Sequence, residues 1–385
     1  MTPRPGRVAG IVDVDLPRPR NAELRISEKF FELVRVIAQR IGLENTEGGL
    51  RSDSMLNRFE FIKPKTVDEV VLHLSRLGKE AKILAGGTDL LVQIKKKRVS
   101  PRYLIDLMGI PELSQIEEEN REVRIGSGVT LASLEKSTLM KGRFGSLWKA
   151  IQGIGSPQIR NMGTIGGNLC VDTRCKYMDS FHPWGREIPG KCFKRGGAVC
   201  HVVKGGDRCH AVMAGDLATV LIALNSKVVI RGQSEKIISL EDFYTGDGKG
   251  VTRVNSDELV TQIRIPPLPP HSGTSYLKHR WRESLDFPVV SAAAWVLKDS
   301  VQGTFQETRF FLGALASAPI RLKKVEDLIR EQISSDQIIQ EAVQEGMKGI
   351  PIVSCSGVPL RYIRRMAQTF AIKAIREAYE ASHWD

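Results

Sequence analysis

Two stretches, AKILAGGTDLL at residues 81–91 and QIRNMGTIGGNL at residues 158–169, decide how this chain is read. In the first, a short apolar run ends in paired glycines and leads into DLLVQIKKK, whose apolar spacing is helical. Gly86 and Gly87 therefore sit at a strand-to-helix turn, where backbone amides face an anion and no side chain holds a diphosphate away. The second stretch follows IRNM in a region without clear helical periodicity and offers another tight turn, flanked by hydroxyl and amide side chains. Neither matches the G-x-G-x-x-G dinucleotide fingerprint or a loop ending in Gly-Lys-Ser/Thr, and Gly126-Ser-Gly128 lacks a third glycine. On composition alone each is better explained as a structural turn. The two together shift the balance towards a phosphate-bearing cofactor.

The rest of the chain sets the bounds. Its 385 residues suffice for two or three domains, and 42% hydrophobic with 26% charged residues is ordinary globular composition. No apolar run approaches the roughly 18 residues of a membrane span. The start, MTPRPGRVAGIVDVDLPRPR, lacks the apolar core of a secretory signal, so a cytoplasmic protein is expected. The net charge of +12 is spread along the chain, and no nucleic-acid-binding motif accompanies it. Its longest basic run, residues 95–98, falls where a helix should end and meets the helix dipole favourably.

Residues 1–54 read as a detachable extension, a translated upstream segment or an oligomerisation arm, with one helix through Phe31, Val34, Ile37 and Ile41. Met55 opens a new pattern. Thr66-Val-Asp-Glu69 is a capping box, and Val67, Val70, Val71 and Leu74 form one helix face behind it. YLIDL and VRIGSGV are expected strands and LASLEKSTLM a helix; DLATVLIALN is a helix and SKVVIRG and ELVTQIRI strands. The prolines at 266–270 mark a boundary, beyond which three strands precede two helices, around VEDLIREQ and YIRRMAQTFAIKAIREAYEAS. This order predicts an α+β protein with at least two mixed sheets.

The paired glycine stretches, with SGVTL and GDLATVLIALNSKVVI, resemble the FAD-binding subunit of the molybdenum hydroxylase (xanthine dehydrogenase) family from Met55 to about residue 380. The resemblance implies a two-part FAD-binding domain of the vanillyl-alcohol-oxidase/PCMH type at 55–266 and a C-terminal α/β domain, as in carbon monoxide dehydrogenase flavoproteins, at 271–385. It implies FAD contacts at Ala85, Gly86, Gly87, Thr88, Asp89 and Leu90, and at Thr164, Gly166, Gly167, Asn168 and Asp216. Leu259 and Lys278 complete the implied set. The plain alternatives are an Asp216 that caps the helix DLATVLIALN and a Lys278 on an exposed strand.

Between Asn168 and Asp216 the chain carries far more sequence than most of that family. This insert, residues 170–212, holds Cys170, Cys175, Cys192, Cys200 and Cys209, leaving only Cys355 elsewhere, and it also holds His182, His201 and His210. In a reducing cytosol such a cluster is metal-binding or catalytic rather than disulfide-bonded. Zinc knuckles place two to four residues between paired cysteines; here only Cys170 and Cys175 come near that, and no second pair completes a site. Wide spacing suits an iron–sulfur cube, whose ligands arrive from separate turns.

The spacing and insertion point resemble the flavin subunit of 4-hydroxybenzoyl-CoA reductase, a branch whose extra loop holds a 4Fe–4S cluster. That resemblance implies Cys175, Cys192, Cys200 and Cys209 as ligands and Cys170 as the spare. It implies a dimer of heterotrimers with a large molybdopterin subunit and a small subunit bearing two 2Fe–2S clusters. Ferredoxin would then feed electrons through the 4Fe–4S cluster to FAD, with neither nucleic acid nor membrane as partner. The nearby Lys194, Arg195, Lys204 and Arg208 would raise the cluster's reduction potential, or simply solvate the loop. The rivals are a flavin subunit of a xanthine, aldehyde or carbon monoxide dehydrogenase, and a zinc-stabilised binding module without flavin.

Overall fold

The computed structural model describes residues 13–15, 32, 33, 36, 57–178, 191–354 and 358–382. The apolar positions of the expected first helix, the boundary at Met55, His182 and Cys355 lie outside them. The chain divides into two compact units, residues 1–58 with 94–98 and residues 59–93 with 99–385. The fold below is that of the second.

Three parallel strands come first. β1 (Glu60–Ile62) is followed by α1 (Val67–Leu77), β2 (Ala81–Leu84), α2 (Leu90–Lys95) and β3 (Tyr103–Asp106). Thr66 Oγ1 accepts the Glu69 amide at 3.2 Å, while the Glu69 carboxylate takes the Lys65 amide at 2.7 Å, so the capping box forms with its acidic arm reaching one residue further back. Val70 and Leu74 carry the buried face of α1. β3 lies between β1 and β2, and its Ile105 is fully buried against Val70 and Leu74.

The second sheet is antiparallel, in the order β4 (Ile116–Glu119), β5 (Glu122–Gly126), β8 (Leu259–Ile265), β6 (Lys227–Arg231), β7 (Glu235–Ser239). After Gly126 the chain leaves it to build α3 (Leu131–Lys136), α4 (Thr138–Arg143), α5 (Gly145–Gln152), α6 (Pro157–Met162) and α7 (Ile165–Leu169). The single helix expected over LASLEKSTLM is two, because Ser137 turns out to extended backbone and caps the second through the Met140 amide. The second glycine stretch is likewise helical. Ser156, with Pro157 behind it, caps α6, and Thr164 caps α7 through the Gly167 amide. The cysteine insert follows, then α8 (Asp216–Ala223), β6 (Lys227–Arg231), β7 (Glu235–Ser239) and β8 (Leu259–Ile265).

The proline cluster separates β8 from the third sheet, which is antiparallel in the order β12-β11-β10-β9. It is built from β9 (Ser272–His279), β10 (Val290–Lys298), β11 (Phe305–Gly313) and β12 (Ile320–Arg321). Three helices, not two, close the chain: α9 (Lys323–Ile329), α10 (Asp336–Gly346) and α11 (Leu360–Ala381). α10 is the addition, capped by Ser335 through the Ile338 amide. Each sheet is purely parallel or purely antiparallel, in place of the mixed sheets expected.

α8 ties the halves together. All eight of its residues are buried, as a helix apolar on every side requires. One core joins its Leu217, Val220 and Leu221 to α5 and the second sheet on one side and to Tyr276, Ala293 and Phe311 of the third sheet on the other.

Candidate flavin and cysteine sites

The fold brings the two glycine stretches into contact. A Cβ on Gly86 would overlap the Met162 carbonyl and lie 2.9 Å from the Gly163 amide nitrogen, so only glycine lets the loops approach. A Cβ on Gly166 would meet Ser127 Cβ at 2.7 Å and its carbonyl oxygen at 2.8 Å. Gly87 holds φ +69°. These three glycines are thus needed by the protein itself, which corrects the idea that each simply makes room for a diphosphate. Gly167 differs: a Cβ there meets only Thr164 Oγ1, at 3.1 Å.

The loops also differ in the donors they present. Among the described residues' hydrogen bonds, the amides of Gly86, Gly87, Thr88 and Asp89 reach no protein acceptor. A run of such amides at the head of α2 is the donor set an anionic diphosphate takes. In the second loop, by contrast, the Gly166, Gly167 and Asn168 amides are taken by Ser127 O, Thr164 Oγ1 and Thr164 O. It can line a ligand with Cα atoms and side chains but offers few amides.

The remaining expected positions extend the same neighbourhood. Ala85 packs against the cluster that includes Leu259. Asn168 Oδ1 accepts the Leu217 amide at 3.2 Å, capping α8 from outside. Asp216 is therefore not the cap. Its carboxylate instead accepts the Tyr276 hydroxyl at 2.7 Å and Lys278 Nζ at 3.0 Å. Both ion-pair side chains are deeply buried, at 5% and 7% exposure, so Lys278 does not lie on an exposed strand face. Burial pushes the Asp216 carboxyl up, against the pull of Lys278 and the Tyr276 hydrogen bond. Lys278 Nζ and Arg280 also reach Gly153 O, just past the carboxyl end of α5.

The insert leaves α7 and is pinned at its base by paired backbone bonds between Arg174 and Val212. Arg174 reaches back to the first loop, 3.8 Å from Asp89, and its guanidinium lies 3.6 Å from the Phe287 ring centroid. Sequence spacing carried no sign of this link. Inside the insert, Cys175, Cys192, Cys200 and Cys209 line one cavity, part of it open to solvent. Cys175, Cys192 and Cys209 are buried, Cys200 half-buried, and none of the four is in a disulfide. Cys170 does not line the cavity. Apolar walls come from Tyr177, Phe193 and Val202.

Burial pushes the Cys209 thiol up, while the Ala211 amide and the Lys194 charge draw it back. Of the four basic residues noted in the insert, Lys194 is the one sunk into the wall: Nζ meets Asp172 Oδ1 and Thr173 Oγ1, each at 2.6 Å. Among the described residues, no group of three or more Cys, His, Asp or Glu converges as a single metal ion requires. Four thiolates on one zinc, each at about 2.3 Å, would stand about 3.8 Å apart, whereas the corners of a cube hold them farther apart.

Comparisons with known proteins bear on the family and the fold. Residues 57–268 match the family described as the FAD binding domain in molybdopterin dehydrogenase, and residues 275–378 match the CO dehydrogenase flavoprotein C-terminal domain. The chain is 25% identical over 306 residues to a putative xanthine dehydrogenase FAD-binding subunit of Escherichia coli, covering 79% of this chain and 90% of that protein. It is 28% identical over 275 residues to the nicotinate dehydrogenase FAD-subunit of Eubacterium barkeri, covering 70% and 79%. A chain of the Hydrogenophaga pseudoflava carbon monoxide dehydrogenase that lacks the Mo-pyranopterin moiety superimposes with a TM-score of 0.69 at 26% identity, over 85% of this chain and 99% of that one. The chain belongs to the FAD-binding subunits of the molybdopterin dehydrogenases, and it is an FAD-binding oxidoreductase subunit with the α+β domains expected. Among the described residues no helix is long and apolar enough to cross a membrane.

Proposed function

We propose that this chain is the electron-transfer flavin subunit of a multi-subunit molybdopterin dehydrogenase, with a 4Fe–4S cluster held in its insert. The xanthine, nicotinate and carbon monoxide dehydrogenase relatives support the flavin-subunit part of this reading; the cluster rests on the insert of this chain alone. The narrower assignment, 4-hydroxybenzoyl-CoA reductase, rests on the cysteine insert alone and is less well supported. The proposed partners are a large molybdopterin subunit, a small subunit with two 2Fe–2S clusters, and a one-electron carrier such as ferredoxin. The proposed domains are 55–266, carrying the insert, and 271–385.

FAD supplies a centre that exchanges electrons singly or in pairs. The protein's part is to hold it. Amides of Gly86 to Asp89 would donate to the diphosphate, Thr164, Gly167 and Asn168 would form the facing wall, and Arg174 braces the first loop through Asp89. Asp216 and Lys278, paired with each other, fix α8 and hence the Asn168 side chain. Ala85, Leu90 and Leu259 give the loop an apolar backing.

One observation carries the cluster: four cysteines spread over 35 residues of sequence line a single half-enclosed cavity, and Cys170 does not. The donor set fits a cube, with apolar walls on its enclosed side and a buried lysine that offsets thiolate charge. Single Cys→Ser changes at Cys175, Cys192, Cys200 or Cys209 should each remove about four irons per chain from the purified complex and leave FAD in place. Cys170→Ser should keep its iron. Equal iron in wild type and the Cys200→Ser variant would overturn the ligand set.

A further inference from the structure

Among the described residues that line the cysteine cavity, His201 carries a buried polar atom that its surroundings leave unused. His201 follows Cys200, lines the cavity and lies against Tyr177, ring centroids 5.6 Å apart. Its Nε2 is buried and has no hydrogen-bond partner among the described residues. A buried ring nitrogen without a partner is costly and calls for an explanation. The cationic neighbours are already committed: Lys194 to Asp172 and Thr173, and Arg195 Nε to Met178 Sδ at 3.2 Å.

We propose that His201 Nε2–H donates a hydrogen bond to a sulfur of the iron–sulfur cluster, making it a potential-setting residue rather than a ligand; this rests on the reading that the cavity holds such a cluster. The chemistry follows from charge. A cube with four thiolates is anionic, and adding an electron makes its sulfurs better acceptors, so a donor stabilises the reduced state more than the oxidised one. Nε2 then gains an acceptor that the described residues do not provide.

The test is a redox titration of the intact complex followed by EPR, with iron and FAD counted. His201→Phe keeps an aromatic ring against Tyr177 and removes the donor. It should retain its iron, shift the cluster midpoint to lower potential and leave the flavin midpoint unchanged. His201→Gln, whose amide nitrogen reaches a similar place, should recover most of the shift. A midpoint in His201→Phe equal to wild type, with iron retained, would overturn the proposal. Should His201→Phe lose its iron, wild-type complex enriched in 15N-histidine decides. A weak 15N coupling on the reduced cluster supports the donor role, and either no coupling or one as strong as a bound ligand's refutes it. Wild-type complex without iron in this chain would instead overturn the underlying cluster reading.

Discussion

Removing Lys278 should cost far more than removing the whole ion pair would suggest. Lys278 Nζ stands 3.0 Å from Asp216 Oδ2, both deeply buried. At that distance and an effective dielectric of about 20, the attraction is about 5–6 kcal/mol. Desolvating the two charges offsets several kcal/mol for each ion. Burial already pushes the Asp216 carboxyl up with the lysine in place, which shows how hard desolvation presses on the pair. Lys278→Met leaves that carboxylate with the Tyr276 hydroxyl bond and the more distant Arg280 charge, and should destabilise by about 3–5 kcal/mol. Asp216→Asn combined with Lys278→Met removes both charges, so its cost should fall below the sum of the single changes by about 2 kcal/mol or more.

The pH dependence has a definite sign. A carboxyl whose folded pKa is raised binds its proton more readily in the folded state, so stability rises as pH falls through that folded pKa towards the ordinary carboxylate range. The Lys278→Met penalty should therefore shrink on acidification, because protonation neutralises the stranded Asp216. Urea unfolding of the single and double variants between pH 5 and pH 8 reads both effects. Additive costs, or a Lys278→Met penalty flat with pH, would refute the reasoning.

Gly166→Ala should lose about 1–3 kcal/mol by colliding with Ser127, whereas Gly167→Val should fold and lose FAD; equal flavin content in Gly167→Val and wild type would remove Gly167 from the site. Thr66→Ala should cost about 1 kcal/mol by uncapping α1, read as a lower urea midpoint. Lys324 and Lys348 hold the exposed Glu345 carboxyl at about 2. Its small, salt-screened contribution should be present above the ordinary carboxylate range and fade as pH falls towards 2, so Glu345→Gln should converge with wild type in acid. A chain beginning at Met55 should bind FAD normally, and an insoluble or flavin-free product would show that residues 1–54 serve the fold.

Much of the fold was legible because its signals are local. Thr66 and Glu69 cap where expected, and the apolar runs of β9, β10 and β11 emerge as strands. What was missed is short or encoded in caps rather than periodicity. α6 and α7 are only six and five residues long, so no apolar repeat develops, yet Ser156-Pro157 and Thr164 marked their starts. α10 was passed over although Ser335 caps it. In the candidate site, the glycines mark where the two loops meet, for a reason partly different from the one expected. Gly86 and Gly166 are small because Met162 and Ser127 press on them, a tertiary fact that no spacing encodes. The links from Arg174 to Asp89 and from Asp216 to Lys278 span 85 and 62 residues, and chemistry alone does not pair such distant charges.

The central claim is that this chain holds one flavin and one iron–sulfur cube. It is tested most directly by counting FAD, iron and zinc in the purified wild-type complex and in its Cys192→Ser variant. One FAD per chain in both, with about four fewer irons per chain in the variant and no stoichiometric zinc, is the predicted result. Unchanged iron in the variant, or one zinc per chain lost on the same substitution, would contradict it.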